Sequence, residues 1–190
     1  RETSLSITMD GNKTLTGNFI LSDSDIDGIN DDIDTCPNTP SSESVNSTGC
    51  SSSQTDTDGD GVNDDIDQDN NTRNGVPVDD IGVMLNPIYL DENGVTIKSR
   101  EWGIFGDVGE IDGVEYTIGD RSYIETWLSE DRDLNQLCTS LVTDMSRVFE
   151  NSSSNKESKN TQFNQDISSW DVSSVTNMSF MFSNSVFNQD

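Results

Sequence analysis

Two dodecapeptides carry the residues best suited to chemistry: DSDIDGINDDID over 23–34 and DTDGDGVNDDID over 56–67. Each contains six aspartates with a glycine sixth, and nine of the twelve aligned positions are identical. Their side-chain oxygens fall at positions 1, 3, 5, 9 and 12. Calcium takes six to eight hard oxygen ligands, and this spacing brings successive carboxylates around one point while glycine permits the sharp turn. The expected ligands in the first copy are Asp23, Asp25, Asp27, Asp31 and Asp34, with the Ile29 carbonyl at position 7. In the second they are Asp56, Asp58, Asp60, Asp64 and Asp67, with the Val62 carbonyl. Magnesium fits less well, because it demands strict octahedral geometry and keeps several waters, so the expected cofactor is Ca2+.

An acidic linker with no ligand is the plain alternative. Carboxylates about 4 Å apart repel by about 1 kcal/mol in water, so either reading predicts an open loop when no cation is present. A linker does not account for identities held in register around a glycine. The loops are EF-hand-like in spacing only, since NFILS precedes the first, TCPNTP follows it, and position 12 is Asp34 or Asp67 instead of glutamate.

Composition sets the frame in which these loops must be held. Of 190 residues, 30% are hydrophobic and 14 are glycine, a share that favours small modules over one large core. The net charge of −26 excludes a nucleic-acid partner and an anionic membrane surface, both of which require a basic face. From Thr14 to Thr72 there are 14 acidic residues and no Lys or Arg. The chain has no histidine, which removes Ser/His, Cys/His and His-ligated zinc chemistry, and no site for catalysis is expected. Cys36 and Cys50 either close a 15-residue loop, as in an oxidising compartment and with about 3 kcal/mol of stabilisation, or are free thiols. No apolar run has membrane-spanning length, so no membrane insertion is expected within the chain.

The elements that must position the loops are short. RETSLSITMDGNKTLTGNF alternates apolar and polar residues about Asp10-Gly11-Asn12 and reads as a hairpin closing a β-rich module over 1–20. The acidic repeats occupy 21–70, separated by a Ser/Thr/Asn/Pro-rich stretch with no apolar period, and a linker is expected over 71–86. A cap is expected over 87–137. It has turns at Asn93-Gly94 and Asp112-Gly113, then a helix RSYIETWLSE capped by Asp120, with Tyr123, Ile124, Trp127 and Leu128 on one face.

A second repeat fills 138–190. FNQD recurs from Phe163 to Phe187, a period of 24, while VTDMS at 142–146 and VTNMS at 175–179 are 33 apart. The surplus of nine lies in NSSSNKESKN, a polar insertion of the kind a solenoid accepts in a loop, and Phe149 then aligns with Phe182. The apolar set is Phe163, Ile167, Trp170, Val172, Val175, Met178, Met181, Phe182 and Val186, of which the tryptophan and the methionines are expected as core between stacked coils. Asn164 and Asn188 are expected to form a buried amide ladder. The missing initial Met and the break inside a repeat suggest an internal fragment that continues beyond Asp190.

Resemblances add to this reading. DSDIDGINDDIDTCPNTP with GCSSSQTDTDGDGVNDDID resembles thrombospondin type 3 repeats of the bacterial kind, which implies calcium wrapped by these aspartates and a Cys36–Cys50 disulfide. The second copy departs, with Asp69-Asn70 where Cys-Pro would recur. It should therefore end the array and be the first to open when calcium is withdrawn. FNQDISSWDVSSVTNMSFMF resembles the BspA-like surface-protein repeat, a leucine-rich-repeat relative, and ITMDGNKTLTGNF resembles the closing strands of the InlB B-type repeat. The expected fold is therefore multi-module: irregular calcium-wrapped repeats, a small β-rich cap, and the start of an α/β leucine-rich-type solenoid. The resemblances imply an extracellular or cell-surface bacterial protein in which a calcium-stiffened spacer presents the solenoid to a protein or glycan on a cell or matrix surface. The alternatives are an accessory region of a secreted hydrolase and a purely structural segment.

Overall fold

A computed structural model describes Gly11 and residues 21–150 and 162–189. The hairpin expected over 1–19 and the insertion NSSSNKESKN lie outside these residues. The chain forms two units, one of residues 1–57 with 63–66 and the other of 58–62 with 67–190.

Among its described residues the first unit has almost no regular structure, as expected of a segment without apolar periodicity. Its ordering comes from local polar contacts and one covalent bond. Cys36 and Cys50 form a disulfide with Cα atoms 5.0 Å apart, inside the ordinary range. Around it, the Thr35 N–H donates to Thr48 O and the Asn46 N–H to Cys50 O, both at 2.9 Å, and Val45 bridges Ser51. The Thr39 hydroxyl, in a side chain only 4% exposed, donates to Gly49 O at 2.7 Å.

The second unit opens on the same arrangement displaced by 33 residues. The Gln68 N–H donates to Ile81 O, the Asp79 N–H to Val83 O, Val78 bridges Met84, and buried Thr72 donates to Gly82 O. The stretch set apart as a linker on its composition thus carries the backbone pattern of the first copy. The acidic loops are the part of the two copies that stands out by residue type, because the cysteines that mark the first copy are Asp69 and Val83 here.

Beyond it, both expected hairpins form. Strand β1 (Ile88–Leu90) pairs antiparallel with β2 (Ile97–Ser99), and β3 (Val108–Ile111) with β4 (Val114–Ile118). The two-residue turn of the second hairpin has positive φ at both Asp112 and Gly113, the left-handed pair that matches strand twist. Helix α1 (Arg121–Glu130) begins where Asp120 accepts the Ser122 and Tyr123 N–H groups, and it buries Ile124, Trp127 and Leu128. Strand β5 (Leu137–Cys138) then pairs parallel with β4, so the sheet runs across the boundary expected at residue 137.

Helix α1 packs on the carboxy-terminal segment through one core that includes Leu134, Leu137, Met145, Phe149, Phe163, Trp170 and Met181. The Trp170 indole N–H donates to Leu134 O at 2.8 Å, which satisfies the polar end of a buried ring. Successive turns of this segment pair at the 33-residue spacing. Met145, Arg147 and Phe149 N–H groups donate to Asn177, Ser179 and Met181 carbonyls, and Asp144 forms a parallel bridge with Asn177. Phe149, Phe163, Phe182 and Phe187 stack as four near-parallel rings, with centroids 4.0 Å apart for Phe149–Phe163 and 4.6 Å for Phe182–Phe187. Residues 139–150 and 162–189 contain no α-helix.

Two expectations fail in this segment. Met178, expected as core, is 44% exposed, and Val172, Phe182 and Val186 are exposed as well, although Phe182 stacks on Phe149 and Phe187. Asn164 and Asn188 do form a rung, with the Asn188 N–H donating to the Asn164 side-chain oxygen at 2.9 Å, but both residues are exposed. Their amides have water as an alternative partner, so burial is not what selects them.

Candidate metal centre

In the first loop, backbone N–H groups fix the aspartates one by one. Asp23 accepts the Ile26 and Gly28 N–H groups, one on each oxygen. Asp27 Oδ1 accepts the Ile29 N–H at 2.7 Å, and Asp25 Oδ2 accepts the Thr39 N–H at 2.8 Å across fourteen residues. The remaining oxygens, Asp25 Oδ1 and Asp27 Oδ2, are buried and have no hydrogen-bond partner. A buried, unpaired carboxylate oxygen is costly unless a cation or donor meets it.

Asp23, Asp25 and Asp27 can each present one oxygen such that all three lie within 4.8 Å of one another. Two oxygens each about 2.3–2.6 Å from a common calcium ion can be at most about 4.6–5.2 Å apart, so the trio fits a single coordination sphere. Asp56, Asp58 and Asp60 meet the same distance condition within their own five residues.

Position 12 lies outside the three-carboxylate groups and against a glycine from a different part of the chain. Asp34 Oδ1 accepts the Cys36 N–H at 2.8 Å and lies against the backbone of Gly49, where an added Cβ would land on the Asp34 carboxylate and 3.2 Å from Asp27 Oδ2. Gly49 has φ +82, so both its conformation and its missing side chain are used. Gly82, at φ +78, stands in the same relation to Asp67, whose Oδ1 accepts the Asp69 N–H while Oδ2 is buried without a partner.

Position 9 behaves differently. Asp31 Oδ1 accepts the Ser24 N–H at 2.7 Å and Oδ2 the Ser24 hydroxyl at 2.8 Å. Asp64 is held likewise by the Thr57 N–H and by the Thr55 and Thr57 hydroxyls. Hydrogen bonds from the Ser22 and Ser24 hydroxyls, joined by the Ser24 N–H, keep Asp31 below the ordinary carboxylate range, and those from Thr55 and Thr57 do the same for Asp64. These two aspartates close their loops by bonding across them. The structure does not bring them into the three-carboxylate groups around positions 1, 3 and 5. At position 7, the N–H groups of Ile29 and Val62 are bound by Asp27 and Asp60 at 2.7 and 2.8 Å, which fixes the peptide plane entering each residue, next to the plane that carries its expected carbonyl ligand.

Thr39, Thr72, Gly49 and Gly82 were missed as site residues, although the sequence carries their signal. Asn38-Thr39, Val45 and Gly49 recur as Asn71-Thr72, Val78 and Gly82 at the same spacing of 33. Identities scattered through a polar stretch show no periodicity of their own, and only the acidic register makes them visible.

Elsewhere an open cleft of 380 Å³ lies between β1, β2 and the carboxy-terminal turns. Two of its charged groups are engaged with neighbouring residues. Lys98 pairs with Asp91 at 3.3 Å, and Asp171 accepts from the Ser140 hydroxyl and the Ser173 N–H. Cys138 is fully buried, and burial pushes its thiol up. Among the described residues, no helix is long and apolar enough to cross a membrane.

A family model described as "Mycoplasma protein of unknown function, DUF285" matches residues 123–190. It covers α1 and the turns whose residues resemble the BspA-like repeat, and so supports that part of the resemblance. No curated protein and no solved structure matches the chain.

Proposed function

We propose that residues 21–85 form two tandem calcium-binding repeats of the thrombospondin type 3 kind, which act as a cation-stiffened spacer in a surface-associated bacterial protein. The observation that carries this is the pair of buried oxygens Asp25 Oδ1 and Asp27 Oδ2. Their sister oxygens are locked by main-chain N–H groups, and the free ones stay buried without a donor in residues whose carboxylates can gather within 4.8 Å. A cation with several oxygen ligands supplies what they lack, and calcium accepts the irregular geometry better than magnesium does.

The match over 123–190 supports a surface protein of the BspA-like group, in which the carboxy-terminal turns contact a protein or glycan and the repeats hold them away from the cell. The carboxylates of both loops have roles in this reading as ligands or loop closers, and catalysis is not part of it.

Calorimetric titration of the full chain with calcium, with magnesium as the control, tests the reading. Saturable calcium binding is expected, and it should disappear when Asp25, Asp27, Asp58 and Asp60 are all changed to Asn. Binding that is absent from the parent chain, or unchanged in the fourfold variant, refutes it. Because ligand binding to the folded form stabilises it, chelation should also open residues 21–85 to protease.

A further inference from the structure

The two repeats are braced differently. In the first, Cys36 and Cys50 join covalently. In the second, the equivalent positions are Asp69 and Val83, yet the Thr72 N–H still reaches Asp58 Oδ2 as the Thr39 N–H reaches Asp25 Oδ2. In the second copy an anchor absent from the first adds to the bonds that Asp69 O and Gly82 O make with Thr72. The residue after it is Arg73, where the first copy has Pro40.

The Arg73 guanidinium makes a two-pronged contact with Asp107, Nη1 to Oδ1 at 3.2 Å and Nη2 to Oδ2 at 3.0 Å, and Nη2 also donates to Trp102 O at 2.7 Å. Asp107 is itself oriented, since its Oδ2 accepts the Ile104 N–H at 3.0 Å in the turn that leads into β3. The partners are 37% and 13% exposed, so the contact is partly shielded from solvent. A planar fork on a carboxylate restricts orientation as well as distance.

We propose that Arg73 is a positioning residue for the second cation loop, and that its anchorage on Asp107 and Trp102 replaces the missing disulfide by holding the Thr72 N–H on Asp58. The proposal rests on the calcium reading above and assigns it a device particular to this copy. The second loop then draws its order from the β-hairpin module, and metal affinity there responds to a contact outside the loop. The salt dependence of the two copies should differ accordingly, because an ion pair is screened and a disulfide is not.

The experiment titrates the full chain with calcium by calorimetry in two backgrounds. In one, Asp25→Asn with Asp27→Asn silences the first loop. In the other, Asp58→Asn with Asp60→Asn silences the second. Arg73→Gln should raise the calcium dissociation constant of the second loop about two- to fivefold, the range for a partly exposed ion pair, and leave the first loop unchanged. Arg73→Lys should recover part of the loss. Asp69→Cys with Val83→Cys, once oxidised, should make the second loop indifferent to Arg73→Gln. Far-ultraviolet dichroism of α1 serves as the folding control for every variant. Equal affinity of the second loop with and without Arg73 overturns the proposal, as does equal weakening of both loops or failure of the disulfide to rescue. If the second loop takes up no calcium even with Arg73 intact, the calcium reading fails there and the proposal with it.

Discussion

Gly49 provides the sharpest test of how the first loop is built, because Gly28 serves as its control. Both have positive φ, +82 and +96, so alanine at either position costs roughly 1–2 kcal/mol in backbone strain. At Gly28 nothing lies within 4 Å of the added Cβ. At Gly49 the Cβ would occupy the position of the Asp34 carboxylate and press on Asp27 Oδ2. Asp34 must then swing away and give up its bond from the Cys36 N–H, a charge-assisted contact in the range of about 1.5–3 kcal/mol. Local opening of the first unit should therefore cost about 1–2 kcal/mol less in Gly28→Ala and about 2.5–5 kcal/mol less in Gly49→Ala. Amide exchange at Thr35 and Asn46, whose N–H groups bond Thr48 O and Cys50 O, reads this difference without calcium. With calcium, Gly49→Ala should lose position 12 as a ligand and weaken the first loop more than Gly28→Ala does. Equal effects in the two variants would refute the close approach of Asp34 to the Gly49 backbone as the reason for glycine there.

Three further outcomes follow from the same structure. Reducing the Cys36–Cys50 bond should destabilise the first repeat by about 3 kcal/mol, the value for closing a loop of this length, and increase its calcium requirement in a thiol-titrated proteolysis series. Asp120→Ala should cost about 0.5–2 kcal/mol of stability by urea unfolding, since it removes the N-cap of α1. Bonds from the Ser122 hydroxyl and from main-chain N–H groups hold the Asp120 carboxyl below its ordinary value of 3.8. Its stabilisation is thus complete above that pH and lost as pH falls through the lower folded value, a dependence absent from Asp120→Ala. Trp170→Phe should destabilise the second unit by about 0.5–1.5 kcal/mol in thermal unfolding, because the buried Leu134 carbonyl loses its indole donor and keeps the Leu137 N–H.

Much of the local chemistry could be read from residue order. The turns at Asn93-Gly94 and Asp112-Gly113, the Asp120 cap and the buried face of α1 depend on groups within a few residues of each other, and they form where expected. The acidic loops were equally visible, because ligand spacing is itself a sequence property. What was not visible was the extent of the second repeat. Its pairing of Gln68 with Ile81 and of Asp79 with Val83 uses main-chain groups, whose partners residue type does not encode. The segment consequently resembled a linker.

The carboxy-terminal turns show the same division. Phe149 aligns with Phe182 and Phe163 with Phe187 in the sequence, and each aligned pair stacks in the structure. Which apolar residues are covered was decided by neighbours, so Met181 is buried while Met178 is exposed although both lie in the repeat. Sequence by itself determined the identity and spacing of the oxygen donors, the turn and cap residues, and the repeat periods, since each follows from local covalent geometry and side-chain chemistry. Only tertiary structure decided which carboxylate oxygens are left without a donor, that Gly49 and Gly82 make room for Asp34 and Asp67, and that Arg73 reaches Asp107. Those relations join groups 14 to 34 residues apart, and such distances are closed by packing and main-chain bonding, which spacing alone does not specify.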